Sequence, residues 1–484
     1  MQPYIKEKEL EKVEHTNSIV IPEEMLVDNS KIEEKNKKEK KKEEKIPLVE
    51  PKEEFIDIKE PEIEEEQKEE KSCTRLITLA IIPLLLAAII VGIKSSNLIK
   101  LPVLIVLLII LVILIIITIK SKKSTLNKIG KILYRLFMSL YITSELVVLF
   151  LLYGPYPNFK NWLITTAMTT MNHQYLATWF YSNKEVEKVL SQNIVIESKE
   201  DSNLNLITVG KVDFTTSFYE NEYEKQILTK DEDNELYKVI EISGKGYNGF
   251  LVAIYDPSRI KVAATKYLNV RGQYVTDMAK DNDAILAING GGFVDPNYSS
   301  NGGTPQGTVI KDGKILSDRP YYKAGGIIGI TNENKLILGH MSSSEALKKG
   351  VRDAVSFGPF LIVNGVKSFV SGNGGWGTAP RTAIGQRKDG IMLFLVLNGR
   401  TLKNPGADMN DLTEIMSNYG AYNASNLDGG TSSVLVFKQE IAEKYLSDSE
   451  LKTHCNNSYC YINDPIDGGG NHETRWIATS IFVK

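Results

Sequence analysis

Two long runs of uncharged, apolar residues constrain this chain more than any other feature. Leu76–Ile93 and Leu101–Ile119 contain no acidic or basic side chain, and Leu and Ile dominate both. Runs of 18 and 19 residues are long enough to cross a hydrocarbon layer of about 30 Å. A third run, Phe137–Gly154, contains one acid, Glu145. The sequence therefore predicts three transmembrane helices, at about 76–93, 101–119 and 137–154 within residues 73–154, and excludes a wholly soluble protein.

The placement of lysines predicts how these helices are oriented. The loop 120–131 contains five lysines and is followed by Arg135, whereas the loop between the first two runs has only Lys94 and Lys100 near its ends. Because short loops rich in Lys and Arg stay in the cytoplasm, we expect 120–131 inside the cell. Three spans then leave the N-terminus in the cytoplasm and the chain after about residue 155 outside. The sequence thus predicts a multi-pass protein of the cell membrane, in contact with lipid.

The segment that precedes the first apolar run is strongly charged. Residues 1–72 contain 15 lysines and 23 acidic residues, a net charge of −8 in a chain whose total is −3. Few of them are apolar, so burial cannot offset the chain entropy. We expect a disordered cytoplasmic tail that acts as a solvated tether rather than as a partner-binding arm. Glu145 has two interpretations, a polar pathway through the membrane or packing against a neighbouring span.

Residues 155–205 predict a membrane-proximal helical linker. Apolar residues recur there every three or four positions, as on one face of a helix: Ile164, Met168, Met171, Tyr175 and Trp179. This face either lies on the membrane surface or packs on the domain that follows.

From about residue 206 the pattern changes to strands and turns. Alternating or short apolar runs predict strands at 206–214, 237–244 and 249–256. Two-residue hairpin turns are predicted at Asp312-Gly313, Asn364-Gly365 and Asp389-Gly390. Helices are predicted at about 273–281, 344–349 and 411–419. Residues 206–484 are therefore expected to form an α+β domain rich in strands and hairpins.

Two cysteines, Cys455 and Cys460, lie in the predicted extracellular part, where a disulfide would persist. The sequence leaves their pairing open, because it does not show whether the two Cα atoms approach closely enough. A single cysteine pair does not predict a zinc site.

Several familiar catalytic motifs are absent from the sequence. It has no G-x-S-x-G elbow, no P-loop and no H-E-x-x-H, and its histidines are dispersed. Serine–histidine catalysis and a histidine zinc site are therefore disfavoured. No basic and aromatic segment predicts binding of nucleic acid.

Four segments place polar groups among small residues beside predicted strands: AINGGGFVDPN (287–297), GGTPQGT (302–308), PRTAIGQ (380–386) and NLDGGTSSVLVF (426–437). Asn-Gly and Asp-Gly also form ordinary turns, which is sufficient to explain Asn289 taken alone. The loop that starts at Asp428 has more glycines and hydroxyls than a turn needs, and such a loop offers donors to an oxyanion. Arg381 adds a planar cation suited to phosphate. Together these segments predict a site for an anionic, hydroxyl-rich ligand.

These motifs resemble those of the phosphodiester glycosidase family. The resemblance covers about 240–484 and rests on AINGGGF, GPFLIVNG, PRTAIG, LNGR, NLDGGTSS and the terminal RWIATSIFV, with Thr431 standing where glycine is commoner. The family includes an enzyme that removes N-acetylglucosamine from a phosphodiester on mannose, and bacterial proteins labelled for exopolysaccharide biosynthesis. The resemblance implies an α+β glycosidase fold and hydrolysis of a sugar-1-phosphodiester bond in a cell-surface or exported glycopolymer, such as a teichoic-acid-like polymer.

Carried over by motif, the resemblance implies catalytic roles for Asp428, Arg381 and Asn289. The substrate-binding residues that it implies are Gly290, Gly291, Gly307, Gly429, Gly430, Thr431, Ser432 and Arg475. No cofactor is expected. Asp428 and nearby carbonyls are hard ligands that suit Ca²⁺, but no spacing demands a metal.

One carboxylate and one cation are enough for this reaction. A departing phosphate monoester has a second pKa of about 6 and leaves without receiving a proton, whereas an ordinary glycosidase uses two carboxyl groups. Arg381 is expected to hold the phosphate, Asp428 to act as nucleophile or as base for water, and Asn289 to bind the sugar. Two other functions remain open: a non-catalytic module that binds anionic envelope polysaccharide, and a structural partner in polysaccharide assembly or export.

Overall fold

The computed structural model describes residues 62–95, 101–120, 126–170, 173–231, 234–294, 301–321, 324–401, 403–465 and 474–484, with side chains from residues 75 and 105 in the first two helices. Most of the predicted disordered tail lies outside these residues. Its last part, from Glu62, is instead helical and continuous with the first apolar run. Glu and Lys are good helix formers, and extending an existing helix avoids the cost of a new nucleus.

The described part of the chain contains these helices: α1 (Glu62–Ser95), α2 (Leu101–Lys120), α3 (Lys128–Tyr153), α4 (Pro157–Thr169), α5 (Tyr175–Thr178), α6 (Asn183–Gln192), α7 (Glu222–Leu228), α8 (Val275–Asp281), α9 (Ser343–Lys348), α10 (Met409–Asn418), α11 (Gln439–Ala442) and α12 (Asp448–His454).

Its strands are β1 (Val195–Ile196), β2 (Tyr237–Gly244), β3 (Tyr247–Ile254), β4 (Ile260–Ala264), β5 (Leu286–Asn289), β6 (Thr308–Lys311), β7 (Lys314–Asp318), β8 (Gly326–Thr331), β9 (Leu336–Gly339), β10 (Val351–Phe357), β11 (Phe360–Val363), β12 (Val366–Lys367), β13 (Phe369–Val370), β14 (Arg381–Arg387), β15 (Met392–Leu397), β16 (Ala421–Asn426), β17 (Leu435–Lys438), β18 (Cys455–Asn456), β19 (Tyr459–Tyr461) and β20 (Thr479–Val483).

Two helical segments in the described residues, Arg75–Ser95 and Lys128–Tyr153, are long and apolar enough to cross a membrane, which suggests membrane anchoring. The described side chains of α2 form a shorter apolar segment, Ile105–Lys120. Three transmembrane helices are therefore not confirmed. Glu145 lies within α3, and its buried Oε1 has no hydrogen-bond partner among the described residues.

The predicted helical stripe after residue 155 is divided between α4 and α5, and its Met171 lies outside the described residues. Ile164 is fully buried in a small core that α3, α4, α5 and α6 share. Tyr181 closes this core, because its hydroxyl donates to the carbonyl of Leu152 at 2.9 Å. Helix α3, one of the two segments long and apolar enough to cross a membrane, is thus packed directly on the helices that follow it.

Three antiparallel sheets surround the main core of the α+β domain. Their strand orders are β7-β6-β10-β8-β9, β12-β11-β16-β14-β15-β3-β2 and β18-β19-β17-β5-β20-β4. Successive side chains of a strand point to opposite faces, so the even-numbered residues of β15 enter the core between the sheets while the odd-numbered ones pack against α10. This arrangement explains why the run MLFLVL is apolar throughout.

Most of the predicted local structure is confirmed. Helices α8, α9 and α10 lie where predicted, and Asp312-Gly313 and Asn364-Gly365 connect adjacent antiparallel strands with positive φ at both residues of each pair. The prediction for Asp389-Gly390 is wrong. Four residues connect β14 to β15 there, because the Asp389 carboxylate folds back onto the Arg387 guanidinium.

The prediction of a strand at 206–214 is also wrong. Leu204–Leu206 is a short 3₁₀ turn, and the following segment pairs with no strand among the described residues. It crosses the end of the β14–β15 hairpin instead, where the Thr208 N–H donates to the Lys388 carbonyl at 2.8 Å.

The cysteine pairing that the sequence left open is present. Cys455 and Cys460 form a disulfide between β18 and β19, where the two residues lie opposite each other in the antiparallel register.

Candidate active site

The motif residues meet where strands of two sheets end. Asn289 ends β5 in the six-stranded sheet, whereas Arg381 begins β14 and Asn426 ends β16 in the seven-stranded sheet. The Asp428 N–H donates to the Gly290 carbonyl at 3.2 Å, so the loops that follow β5 and β16 are in direct contact. The segments 287–297 and 426–437 therefore meet in the fold.

Asn289 ties these loops together. Its fully buried side chain donates from Nδ2 to the Asp428 carbonyl at 2.6 Å. Its Oδ1 accepts from the Thr382 hydroxyl at 2.7 Å and from the Val434 N–H at 3.2 Å. These bonds occupy the amide, so the geometry favours a role for Asn289 in positioning Asp428 over a direct contact with sugar.

The predicted glycines allow backbone segments to approach closely. A Cβ atom on Gly290 would lie 2.6 Å from the Thr479 hydroxyl oxygen, and one on Gly291 would lie 2.6 Å from the Ser356 carbonyl oxygen. Gly307 has φ +71°, and a Cβ there would meet the Ser356 Cβ at 2.5 Å. Packing therefore accounts for these glycines without a ligand.

Arg381 is buried, and three backbone carbonyls accept hydrogen bonds from its guanidinium. Nε donates to the Ala407 carbonyl at 3.1 Å, and Nη2 donates to the carbonyls of Trp376 and Gly377 at 2.5 and 2.7 Å. Nη1 faces Gly429, on which a Cβ would lie 3.7 Å away. Burial lowers the pKa of Arg381 to about 10, so the group stays charged at neutral pH. It lies beneath the loop as a fixed positive charge.

The loop from Asp428 to Thr431 is partly exposed, whereas Ser432 is buried. Gly430 adopts φ +64° and its N–H donates to the Pro380 carbonyl at 2.8 Å, which fixes the loop over the start of β14. Of the residues named from sequence, Asp428, Gly429, Gly430 and Thr431 are thus the ones placed to meet a ligand.

A second cation, Arg400, lies beside this loop, and the sequence reasoning assigned it no role. A Cβ on Gly430 would lie 3.0 Å from Arg400 Nη2, and Arg400 is exposed. Its charge also acts on Arg381, whose pKa it lowers. Arg400 ends the LNGR motif, which was the signal in the sequence, but only the fold brings Arg400 close to residues 428–431.

Two acids at the start of α10 compensate the buried cation. The negative charges of Asp408 and Asp411 both raise the pKa of Arg381 against the effect of burial. Burial raises the pKa of Asp411 itself from 3.8 to about 6. The two acids form a capping box in which Asp408 N–H donates to Asp411 Oδ2 at 2.9 Å.

The membrane-proximal helices support the segment that holds Arg381. In the segment 371–378, Asn373 Nδ2 donates to the Thr165 hydroxyl at 2.6 Å, and the Thr378 N–H donates to the Thr166 hydroxyl at 3.2 Å. Between these anchors lie the two carbonyls that accept from Arg381. Helix α4 therefore contributes to the position of the buried guanidinium.

The linker also brings a carboxylate to this region. Glu197, which follows β1, accepts from the N–H groups of Gly325 and Phe360 at 2.6 and 2.7 Å. Its charge and that of Asp428 both act on Tyr321, whose pKa is raised chiefly by burial and further by these two carboxylates. The sequence reasoning identified neither Glu197 nor Tyr321, because nothing in the sequence joins them to the glycine-rich motifs.

The guanidinium of Arg475 lies 4.6 Å from the ring centre of Phe293, in the loop after β5. Its neighbour Trp476 lines a separate cavity of about 310 Å³, together with Arg271 and Tyr267. None of Asn289, Arg381 and Asp428 lines that cavity. Among the described residues, no group of three His, Cys, Asp or Glu side chains is placed to hold a metal ion.

Comparison with known proteins finds similarity over the same part of the chain. Residues 282–484 match the family model described as phosphodiester glycosidase. An uncharacterized SPbeta prophage-derived protein, YomE of Bacillus subtilis, is 31% identical over 171 residues, which are 33% of this chain and 25% of YomE. The mouse N-acetylglucosamine-1-phosphodiester alpha-N-acetylglucosaminidase is 26% identical over 250 residues, 45% of this chain and 44% of the mouse protein. The chain thus spans less than half the length of either curated relative.

A solved structure, the catalytic domain of the zebrafish N-acetylglucosamine-1-phosphodiester alpha-N-acetylglucosaminidase auto-inhibited by its pro-peptide, is 18% identical to this chain. The similarity has a TM-score of 0.41 and covers 59% of this chain and 99% of the zebrafish chain.

Replacing Asn289 tests its role in joining the loops. Asn289→Ala leaves a carbonyl, a hydroxyl and an N–H buried without this partner, at about 1–3 kcal/mol each and less than their sum when combined. We expect a clear loss of thermal stability together with a loss of activity. Thermal unfolding of the full chain in detergent measures the loss of stability, with Asn248→Ala, at an exposed position, as a matched control. A stable Asn289→Ala protein would contradict the positioning role.

The raised pKa of Asp411 predicts that the thermal stability of the protein depends on pH. Because folding raises the pKa of Asp411 from 3.8 to about 6, its stabilising contribution is complete below about pH 4 and is lost as pH rises through 6. Asp411→Asn keeps an oxygen acceptor for the Asp408 N–H and removes the titration. We expect its Tm to exceed the wild-type value by about 2–4 °C at pH 7 and to converge towards it near pH 4. Parallel Tm–pH curves would exclude this contribution.

Proposed function

We propose that the C-terminal part of this chain, which matches the phosphodiester glycosidase family model over residues 282–484, hydrolyses the bond between a sugar anomeric carbon and a phosphodiester oxygen. The observation that carries the proposal is the partly exposed Asp428, held by Asn289 on a loop with Arg381 beneath it and Arg400 beside it. A carboxylate next to two cations suits a substrate with an electrophilic carbon and an anionic leaving group.

In this proposal, Asp428 either attacks the anomeric carbon and forms an ester that water then hydrolyses, or takes a proton from the water molecule that attacks that carbon. The carbon–oxygen bond to phosphate breaks, and the phosphate monoester leaves with the bonding electrons. Because that group has a second pKa of about 6, it needs no proton at neutral pH. The hydrogen bond from Asn289 to the backbone of Asp428 keeps the carboxylate in place through the reaction.

The two cations have different tasks. Three carbonyls already accept hydrogen bonds from Arg381, so it contributes a buried charge and the Nη1 edge that faces Gly429. Arg400 is exposed at Gly430, where its planar fork suits the non-bridging oxygens of phosphate. Together they stabilise the charge that develops on the leaving group.

We also propose a location and a substrate class. The chain crosses the membrane three times at α1, α2 and α3, its N-terminus lies in the cytoplasm, and the domain from about residue 206 is extracellular. The disulfide between Cys455 and Cys460 supports an oxidising compartment. The substrate is then a phosphodiester-containing glycan of the cell envelope, such as a teichoic-acid-like polymer, and no cofactor is required.

Activity assays test the roles proposed for Asp428 and Arg400. Using the full chain in detergent and methyl phosphodiesters of several sugar 1-phosphates, among them N-acetylglucosamine, we expect Asp428→Asn to lose at least about 10³-fold in kcat. Arg400→Ala should lose about 10–100-fold on phosphodiesters and little on the p-nitrophenyl glycoside of the same sugar.

The matched controls for these variants are Asp312→Asn, at a hairpin turn, and Arg259→Ala, at the surface. Near wild-type turnover by Asp428→Asn would remove Asp428 as the reactive carboxylate. Equal losses by Arg400→Ala on both substrates would remove its assignment to phosphate. A wild-type chain that binds these diesters without releasing sugar would favour the non-catalytic binding module.

Topology is tested with single cysteines in a variant that lacks the native ones. We expect a cysteine at Ser124, in the loop between α2 and α3, to be protected from a membrane-impermeant maleimide in intact cells, and a cysteine at Ser449 to be labelled. Permeabilised cells should label both. Labelling of position 124 in intact cells would overturn the proposed orientation.

A further inference from the structure

A cavity of about 310 Å³ lies apart from the residues of the candidate active site. Most of its lining comes from helix α8 and from the connection that precedes it. The lining combines three aromatic side chains with three cationic ones: Tyr267, Tyr274 and Trp476, and Lys266, Arg271 and Lys280. A concave site of this volume is large enough for a small ligand, and aromatic rings with a few charged groups are the usual lining of such sites.

The guanidinium of Arg271 is stacked on two of these rings. Its central carbon lies 4.1 Å from the ring centre of Tyr267 and 5.3 Å from that of Trp476. Among the described residues, the Arg271 side chain has neither a hydrogen bond nor an ion pair. Stacking thus fixes the plane of the guanidinium and leaves its N–H groups available, and a planar fork of this kind suits two oxygens of a phosphate.

The charges of the cavity favour an anion. Its lining contains three cations and two acids, so its net charge is +1. Asp281 Oδ2 lies 3.3 Å from Lys266 Nζ, and these two charges compensate each other. Asp277 is the remaining acid, whereas Arg271 and Lys280 are the remaining cations, and neither of these cations forms an ion pair within the described part of the chain.

Trp476 offers a surface on which a ligand ring can pack. Its side chain is 37% exposed, although it is one of the largest apolar groups of the domain. The ring of Tyr274 meets it edge-on, with the ring centres 6.0 Å apart and the planes at 67°, which holds the indole in place. A sugar has an apolar C–H face that can cover such a ring, while its hydroxyls stay in contact with water and polar side chains.

One of the glycine-rich motif segments shapes the cavity. A Cβ atom on Gly302 would overlap the carbonyl oxygen of Trp476, and one on Gly303 would overlap the backbone of Arg271. The segment GGTPQGT (302–308) therefore packs closely on the backbone of both residues. Their side chains are placed before a ligand arrives, which reduces the cost of binding.

The cavity adjoins the candidate active site through the loop after β5. Phe293 lies four residues after Asn289, so their Cα atoms are at most about 14 Å apart. Phe293 forms an isolated bridge with Pro305, in the segment that shapes the cavity, and its ring centre lies 4.6 Å from the guanidinium of Arg475, the neighbour of Trp476. The cavity is thus close to the active site but has separate lining residues.

We propose that this cavity is a second glycan site, which binds a glycosyl phosphate unit. The sugar ring packs on the exposed part of Trp476, the phosphate accepts hydrogen bonds from Arg271, and Lys280 adds positive charge. The inference rests on the proposed function for the identity of the ligand and deepens it, because a polymer of such units is then held at the cavity while another unit lies at Asp428.

The test follows Trp476 directly, by ¹⁹F NMR of the full chain labelled with 5-fluorotryptophan in detergent. The chain has four tryptophans, and the signal of Trp476 is the one that Trp476→Phe removes. The probes are methyl esters of C-glycosyl phosphonates of the same sugar panel, in which a CH₂ group replaces the scissile oxygen and prevents cleavage. The free monosaccharides and inorganic phosphate are titrated separately.

We expect a saturable shift of the Trp476 signal with at least one phosphonate, and at least about tenfold weaker binding of its monosaccharide and of inorganic phosphate alone. Arg271→Gln should weaken the phosphonate at least about tenfold, and Lys280→Gln, at an exposed position, about threefold. The matched control Arg259→Gln, at another exposed arginine, should stay within twofold of wild type. Arg400→Ala should leave this titration unchanged, because Arg400 belongs to the other site.

Four results would overturn the inference. These are no saturable shift with any phosphonate, unchanged affinity in both Arg271→Gln and Lys280→Gln, a loss in Arg400→Ala as large as that in Arg271→Gln, and binding of the monosaccharide or of phosphate alone as tight as that of the phosphonate. Failure of the proposed function has a different signature, a wild-type chain that cleaves no methyl phosphodiester. Because the titration involves no turnover, binding without cleavage refutes only the hydrolysis, and cleavage without binding at Trp476 refutes only the second site.

Discussion

The site depends on one buried side chain, the amide of Asn289. It joins the end of β5 to the start of β14, through the Thr382 hydroxyl, and to the connection between β16 and β17, through the Asp428 carbonyl and the Val434 N–H. A buried amide of this kind is stable only when its donors and acceptors are paired, so these two strands and the connecting loop are mutually dependent. The position of Asp428 follows from this set of bonds and not from its own local sequence.

The two cations near Asp428, Arg381 and Arg400, lie at different depths. The deeper cation, Arg381, is desolvated and compensated by three backbone carbonyls and by the acids at the start of α10, so it cannot move towards a ligand. The outer cation, Arg400, is exposed and has a long, adaptable side chain. A fixed buried charge needs no reorganisation when an anion forms nearby, whereas the exposed one can follow the anion.

The helices next to the apolar segments take part in this arrangement. Thr165 and Thr166 of α4 hold the two ends of the segment whose carbonyls accept from Arg381. A second contribution comes from Glu197, which fixes Gly325 and Phe360 close to the loop of Asp428. The linker is thus packed on the domain, and a fragment that begins after residue 205 lacks both contacts.

The sequence by itself determined the class of the domain, its helices at α8, α9 and α10, two of its hairpins and the four polar segments of the site, because these features depend on periodicity, turn chemistry and short motifs. It did not determine which polar groups face a ligand. The side chains of Asn289 and Arg381 form most of their hydrogen bonds within the protein. Arg400 is marked only by the LNGR motif, and Tyr321 and Glu197 have no local signature. Only the tertiary structure decided this, because burial and hydrogen-bond pairing depend on contacts between residues more than a hundred positions apart, such as Asn289 with Asp428.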